Sequence, residues 1–167
     1  MAYEFYVTIE GTRQGAFKGE SVREAHKDKI AGLSYSHEIT SPRDIATGQA
    51  SGKRQHGPIT ITKEWGPSSP QLFQALVTNE VLKSVFFEFI HTTPDGLEEV
   101  YHTIKLVNAT VAKIRQSTGG GGAESAGSAK TTASYDTHEL EDISFTYQRI
   151  EVENKPGQTS ADDDWTK

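Results

Sequence analysis

A chain of 167 residues and 18.3 kDa is long enough to bury one hydrophobic core and too short to need a second, so a single domain is expected. Its formal net charge of -6 leaves no excess of Lys and Arg to neutralise phosphates, which argues against general nucleic-acid binding, and the absence of cysteine removes disulfides, thiolate metal sites and cysteine nucleophiles together. No stretch approaches the ~20 apolar residues of a membrane-spanning helix, and the opening Met-Ala-Tyr-Glu-Phe lacks the basic-then-apolar pattern of a secretory signal; the expectation is a protein made in the cytoplasm that, if it is exported, leaves without a cleaved signal peptide.

Phe5, Val7 and Ile9 alternate with Glu4, Tyr6, Thr8 and Glu10, the period of a strand with one buried face. Ile30, Leu33 and Tyr35 mark a second strand that ends near Ile39. Residues 41–58 carry no apolar period and are rich in Ser, Gly and Thr, which predicts a long loop, a kind of segment that in a compact domain is either functional or disordered. The β-branched run Ile59–Lys63 predicts a strand, broken by Trp65-Gly66-Pro67.

Ser68 with Gln71 three positions on, and Pro70 in the first turn, predicts a helix start; Leu72, Phe73, Leu76 and Val77 form its apolar stripe, and Asn79 suggests a break or a second short turn through Leu82. Val85–Val107 reads as a hairpin turned at Pro94-Asp95-Gly96, followed by a strand at Val111–Arg115. The Gly-rich stretch 117–134 predicts a mobile loop, Ile143, Phe145 and Tyr147 a last strand with Ile150 and Val152 out of phase through a bulge, and 154–167 a peripheral acidic tail. The sum is a mainly β domain over 1–153, with six to eight strands and one main helix, closed as a small barrel or as two packed antiparallel sheets to protect its edges.

Catalytic chemistry finds no assembled parts. Gly122–Gly127 followed by Ser128-Ala129-Lys130 fails as a phosphate loop because Lys does not directly follow the second Gly and no helix follows. His26, His37, His56, His91, His102 and His138 lack metal-ligand spacing. Glu98-Glu99 and Glu141-Asp142 are strand neighbours, which point to opposite faces. Asp162–Asp164 reads as a solvated acidic end, and Asn108-Ala109-Thr110 as a coincidental sequon. The expectation is no enzyme, no cofactor and no metal.

Phe5–Glu10, Gly19-Glu20-Ser21 leading to His26-Lys27-Asp28, Leu33–Ser36, Ile59–Lys63, Ser69–Leu72, Tyr101–Leu106 and Ile143–Glu151 follow one another in an order that resembles the haemolysin-coregulated protein (Hcp) family of type VI secretion, and Glu64–Pro67 with Leu72–Leu76 resembles one subgroup of it. The resemblance implies a β-barrel flanked by a helix, which assembles as a hexameric ring. Rings of the family stack into a tube tipped by a spike inside a contractile sheath, are expelled to the medium or a target cell, and carry small effector proteins in the lumen. A closed ring needs two different patches on each subunit, and the candidate contacts are Ser41, Gly48, Lys53, Arg54 and His56 of the long loop, with Trp65. Deletion of Gly48–Arg54 is expected to spare the fold and abolish stacking. The alternatives are a monomeric barrel binding a small ligand among Phe86, Phe87, Phe89 and Tyr101, and a phage-like tail-tube subunit.

Overall fold

The computed structural model describes residues 4–19, 21, 23–118 and 139–164. The Gly-rich stretch beyond residue 118, its near-match to a phosphate loop and His138 lie outside the described residues.

Strand β1 (Glu4–Gly11) pairs with β8 (Leu82–Thr92), β8 with β9 (Glu98–Ser117), β9 with β10 (Leu140–Thr146), β10 with β7 (Ile59–Glu64) and β7 with β4 (Ser34–Ser36). The circuit closes through β3 (Ile30–Gly32), separated from β4 only by Leu33, which pairs back onto β1. A closed circuit leaves few ladder groups unpaired, the usual way an all-β core avoids open edges. Phe5, Val7, Ile9, Ile59, Ile61, Val85, Phe87, Leu106, Ile143 and Phe145 fill it. A minor strand β2 (Gly15–Ala16) folds back on the end of β1, and β11 (Arg149–Asn154) with β12 (Thr159–Asp164) extends the sheet from β9.

β9 runs unbroken through the expected gap before Val111. Asn108 sits in the left-handed region at φ 52, which Asn tolerates better than most residues, and its amide donates to Gln148 Oε1 at 2.9 Å. β9 pairs with β11 up to Val107 and with β8 up to Ala109; from Thr110 on it pairs with β10. The expected single bulged strand from Ile143 to Val152 is two strands instead. The chain turns at Tyr147-Gln148, which is why Ile150 falls out of phase with Ile143 and Phe145. The acidic tail is also no loose extension: Thr159–Asp164 is a paired strand.

Helix α1 (Ser68–Thr78) ends at Asn79 in the left-handed conformation, as its sequence predicts. Its start differs. Pro67 occupies the cap, Ser69 Oγ accepts the Gly66 N–H at 3.0 Å, and Gln71 turns away to accept the Lys18 N–H at 2.8 Å. The helix buries Ser68, Leu72 and Ala75, with Leu76 partly covered, while Phe73 and Val77 are each 57% exposed. The sequence stripe is thus split, because small residues let the helix lie close to the barrel and leave the bulkier ones outside.

The inward faces of β7 and β10 carry Ile59, Ile61, Lys63 and Phe145, Ile143, Glu141, each directly opposite its partner. Lys63 Nζ lies 2.7 Å from Glu141 Oε1 with both side chains wholly buried, so the Coulombic attraction is barely screened and must offset two desolvation costs. Further donors share the load: Ser69 Oγ donates to Glu141 Oε1 at 2.7 Å, Gln116 Nε2 to Glu141 Oε2 at 3.0 Å, and Lys63 also reaches the Glu64 carbonyl at 2.8 Å. Replacing Lys63 by Met strands a buried carboxylate and is expected to cost about 3–5 kcal/mol in urea denaturation at fixed protein concentration. The double variant Lys63→Met/Glu141→Leu is expected to recover most of that loss.

Candidate assembly surface

Between β4 and β7 the chain leaves the barrel as an irregular hairpin arm. At its base β5 (Ile39–Thr40) pairs with β6 (Gln55–His56); further out, Arg43 bridges Ala50 and the Gly48 N–H donates to the Asp44 carbonyl at 2.7 Å. Gly48 turns the tip at φ +73, a conformation that glycine adopts without steric cost. Polar composition and β-turn residues predict a loop here, and the structure gives that loop a hydrogen-bonded frame. Ile45, near the tip, is 103% exposed, an apolar side chain with nothing of its own chain around it.

The candidate contact residues divide into groups. Ser41, Gly48 and Lys53 are exposed along the arm. Arg54 and His56 turn inward at its base. The Arg54 guanidinium clasps both oxygens of Asp163 on β12 and donates to the Asp164 carbonyl at 3.0 Å. His56 donates from Nε2 to Asp163 at 2.7 Å and meets the Tyr147 hydroxyl through Nδ1 at 2.8 Å; His37 Nε2 meets the same hydroxyl at 2.6 Å. Trp65 lies beyond the far end of β7, a strand of about 20 Å at the usual rise per residue. Its indole donates to the Leu140 carbonyl at 3.0 Å while 43% of the residue stays exposed, and the structure does not bring it to the arm.

The electrostatics of the arm base follow from these contacts. The Arg54 guanidinium holds the Asp163 carboxyl below the usual carboxylate range. Burial pushes the Tyr147 hydroxyl up, with the Asp163 charge adding to it, and burial together with the neighbouring His56 pushes His37 down. A phenol held protonated beside a carboxylate-bound imidazole is a positioning device, not a nucleophile.

Tyr147 is legible in the sequence as an inward residue in phase with Ile143 and Phe145, but His37 and Asp163 escape sequence reasoning because Asp163 meets its partner across more than a hundred residues. Among the described residues no group of His, Asp and Glu is arranged to hold a metal ion. Two of the aromatic residues of the ligand-binding alternative, Phe87 and Phe89, meet at Tyr35. Phe87 packs on Tyr35 and Phe145 in the core, Phe89 on Phe5 and Tyr35, and Tyr101 stacks on His91 instead.

With this geometry in place, the relatives are informative. Residues 6–153 match the family described as "Type VI secretion system effector, Hcp". The chain belongs to the Hcp family. It is 34% identical to the "Major exported protein" of Pseudomonas aeruginosa, over 99% of this chain and 96% of that one. Among solved structures, a crystal structure of an Hcp protein superposes with a TM-score of 0.84 at 29% identity, covering 98% of each chain, and the secreted protein Hcp3 from Pseudomonas aeruginosa with 0.76 at 29%, covering 98% of this chain and 99% of that one. Hcp proteins are exported structural proteins of type VI secretion, and this chain is one of them and not an enzyme.

Because Asp163 titrates lower in the folded chain than unfolded, its charge contributes stability that is complete above the ordinary carboxylate pKa of 3.8 and is lost as pH falls through the depressed folded value. Asp163→Asn is therefore expected to lower the melting temperature at about pH 5 to 7, and the difference from wild type is expected to vanish towards about pH 2. Thermal melts of both proteins across that range measure it.

Proposed function

We propose that the chain is a subunit of the type VI secretion tube, forming hexameric rings that stack through the arm. Family membership supports the ring and its export by sheath contraction, behind a spike at the tube tip, and with it a lumen that carries small effector proteins. The observation that carries the contact assignment is the arm itself, a framed hairpin that projects from the barrel and ends in a fully exposed Ile45. A lone apolar side chain gains nothing in water; its burial against another copy removes that surface from solvent.

Ring closure requires each subunit to present two different patches. The arm, with Ser41, Gly48 and Lys53, and the Trp65 region at the other end of β7 are two such patches, separated by a rigid strand. In this reading Arg54 and His56 serve assembly from within, by aiming the arm, and their charged and polar atoms are spent on Asp163 and Tyr147.

Size-exclusion chromatography with light scattering is expected to give about six times the monomer mass, and negative-stain images annular particles. Deletion of Gly48–Arg54 would remove the Arg54 anchor along with the tip, so the cleaner variants are Ile45→Asp and replacement of Asp44–Gln49, the segment enclosed by the Arg43–Ala50 bridge, with a two-residue Asn-Gly turn. Both are expected to keep the wild-type circular dichroism spectrum and to lose tube formation at concentrations where the wild type stacks. Unchanged tubes in both variants would reject the arm as the contact.

A further inference from the structure

We propose that Ile45 at the tip of the arm seats in an apolar groove at the root of the arm of a second copy, so that each chain carries both halves of one head-to-tail contact. The proposal rests on the reading of the arm as a contact between copies, and goes beyond it by naming the surface that receives the tip.

The groove follows from the register of the β11–β12 ribbon. Ile150 lies opposite Asp163 and Val152 opposite Ala161, and side chains two apart along a strand share a face, so these four line one side of the ribbon. Together with Ile39 at the arm's root they wall a groove of about 210 Å³, which His37, His56 and Asp162 complete. Burial falls off along it. Ile150 is covered by the core, Val152 is half-buried, and Ala161 and Ile39 are exposed, so the groove opens to solvent on its apolar side. At roughly 30 Å³ for each water-sized group, it has room for the four carbons of an isoleucine side chain.

Shape, charge and direction each point to the tip of another copy as the occupant. Ile45 is an apolar knob held out by the Arg43–Ala50 bridge and the Gly48–Asp44 hydrogen bond, and burying it in an apolar groove removes both surfaces from water. The charges match as well. Arg43 and Lys53 are exposed on the arm, while Asp44, the one carboxylate between residues 41 and 53, turns into the tip to accept the Ala46 N–H at 2.8 Å. Opposite in sign, β11 and β12 together carry five carboxylates against Arg149 alone, an excess that Arg54 offsets only in part. An acidic ribbon beside an apolar groove therefore suits a basic arm with an apolar tip. Knob and groove also sit at opposite ends of the arm, at most about 18 Å apart over the five residues from Thr40 to Ile45. Two unlike patches displaced along one direction repeat head to tail from copy to copy, which is the relation that stacked rings require.

The chain contains no cysteine, so the full-length protein carrying Ile45→Cys with either Val152→Cys or Ala161→Cys reports the contact by disulfide formation. Under mild oxidation, at concentrations where the wild type assembles, at least one pair is expected to give a ladder of covalent dimers and higher oligomers on a non-reducing gel. The ladder is expected to form about tenfold faster than with the control pair Ile45→Cys and Leu97→Cys, whose second site is exposed on the turn between β8 and β9. An energetic test runs beside it. Ile45→Ala, and Ala161→Phe, which fills the groove from its exposed edge, are each expected to raise the concentration needed for tube formation about tenfold. The double variant is expected to be no worse than the more severe single one, because both remove the same contact. No ladder above the control rate with either pair, an oxidised product of monomer mass, or additive losses in the double variant would overturn the groove as the seat of Ile45. The two layers separate on Ile45→Asp: lost tubes without a ladder reject the groove and leave the arm as a contact, and unchanged tubes without a ladder reject both.

Discussion

The buried pair of Lys63 and Glu141 sets the register on which the rest of the molecule depends. A strand has a period of two, so a slip of β7 by one residue against β10 would turn Ile59 and Ile61 outward and bring Thr60 and Thr62 in. An apolar ladder tolerates such slips better than a charged one, because a displaced Lys63 or Glu141 would be a buried charge without its partner. Ser69 on α1 and Gln116 on β9 complete the site, so one carboxylate ties the helix start and the barrel's long strand to the same ladder.

That register extends past the last paired residues to the base of the arm. Phe145 lies opposite Ile59, and two positions further along, in the same alternation, Tyr147 comes level with Gly57, beside His56. The corner after β10 and the last residues of the arm are thereby delivered to one place without any contact of their own having to specify it. The hydroxyl then gathers His37 and His56 from the two roots of the arm, and β12 closes the cluster with Asp163. Arm position and core packing are in this sense one problem: a change at the ladder is felt at the arm through the chain's own continuity.

The acidic end of the chain has a second physical role. β12 is an outer strand of its sheet, and a strand of that kind offers unpaired backbone groups to any passing chain. Asp162, Asp163 and Asp164 discourage promiscuous pairing by charge, while Arg54 occupies the Asp164 carbonyl.

The amino-acid sequence alone determined the strand periods of β1, β7 and the β8–β9 hairpin, the helix and its Asn79 terminus, the polar arm and the family resemblance, because alternation, turn chemistry and composition are local signals. It did not reveal that Phe73 and Val77 stay outside, since which side of an apolar stripe is covered depends on how close the small faces of Ser68 and Ala75 bring the helix to the barrel. Nor did it show that Asp163 is a partner and not a solvated end. Arg54, His56 and Asp163 meet only because barrel closure and the β11–β12 return bring chain segments far apart in sequence within reach of one hydrogen-bond network, and no local pattern encodes a contact made by topology.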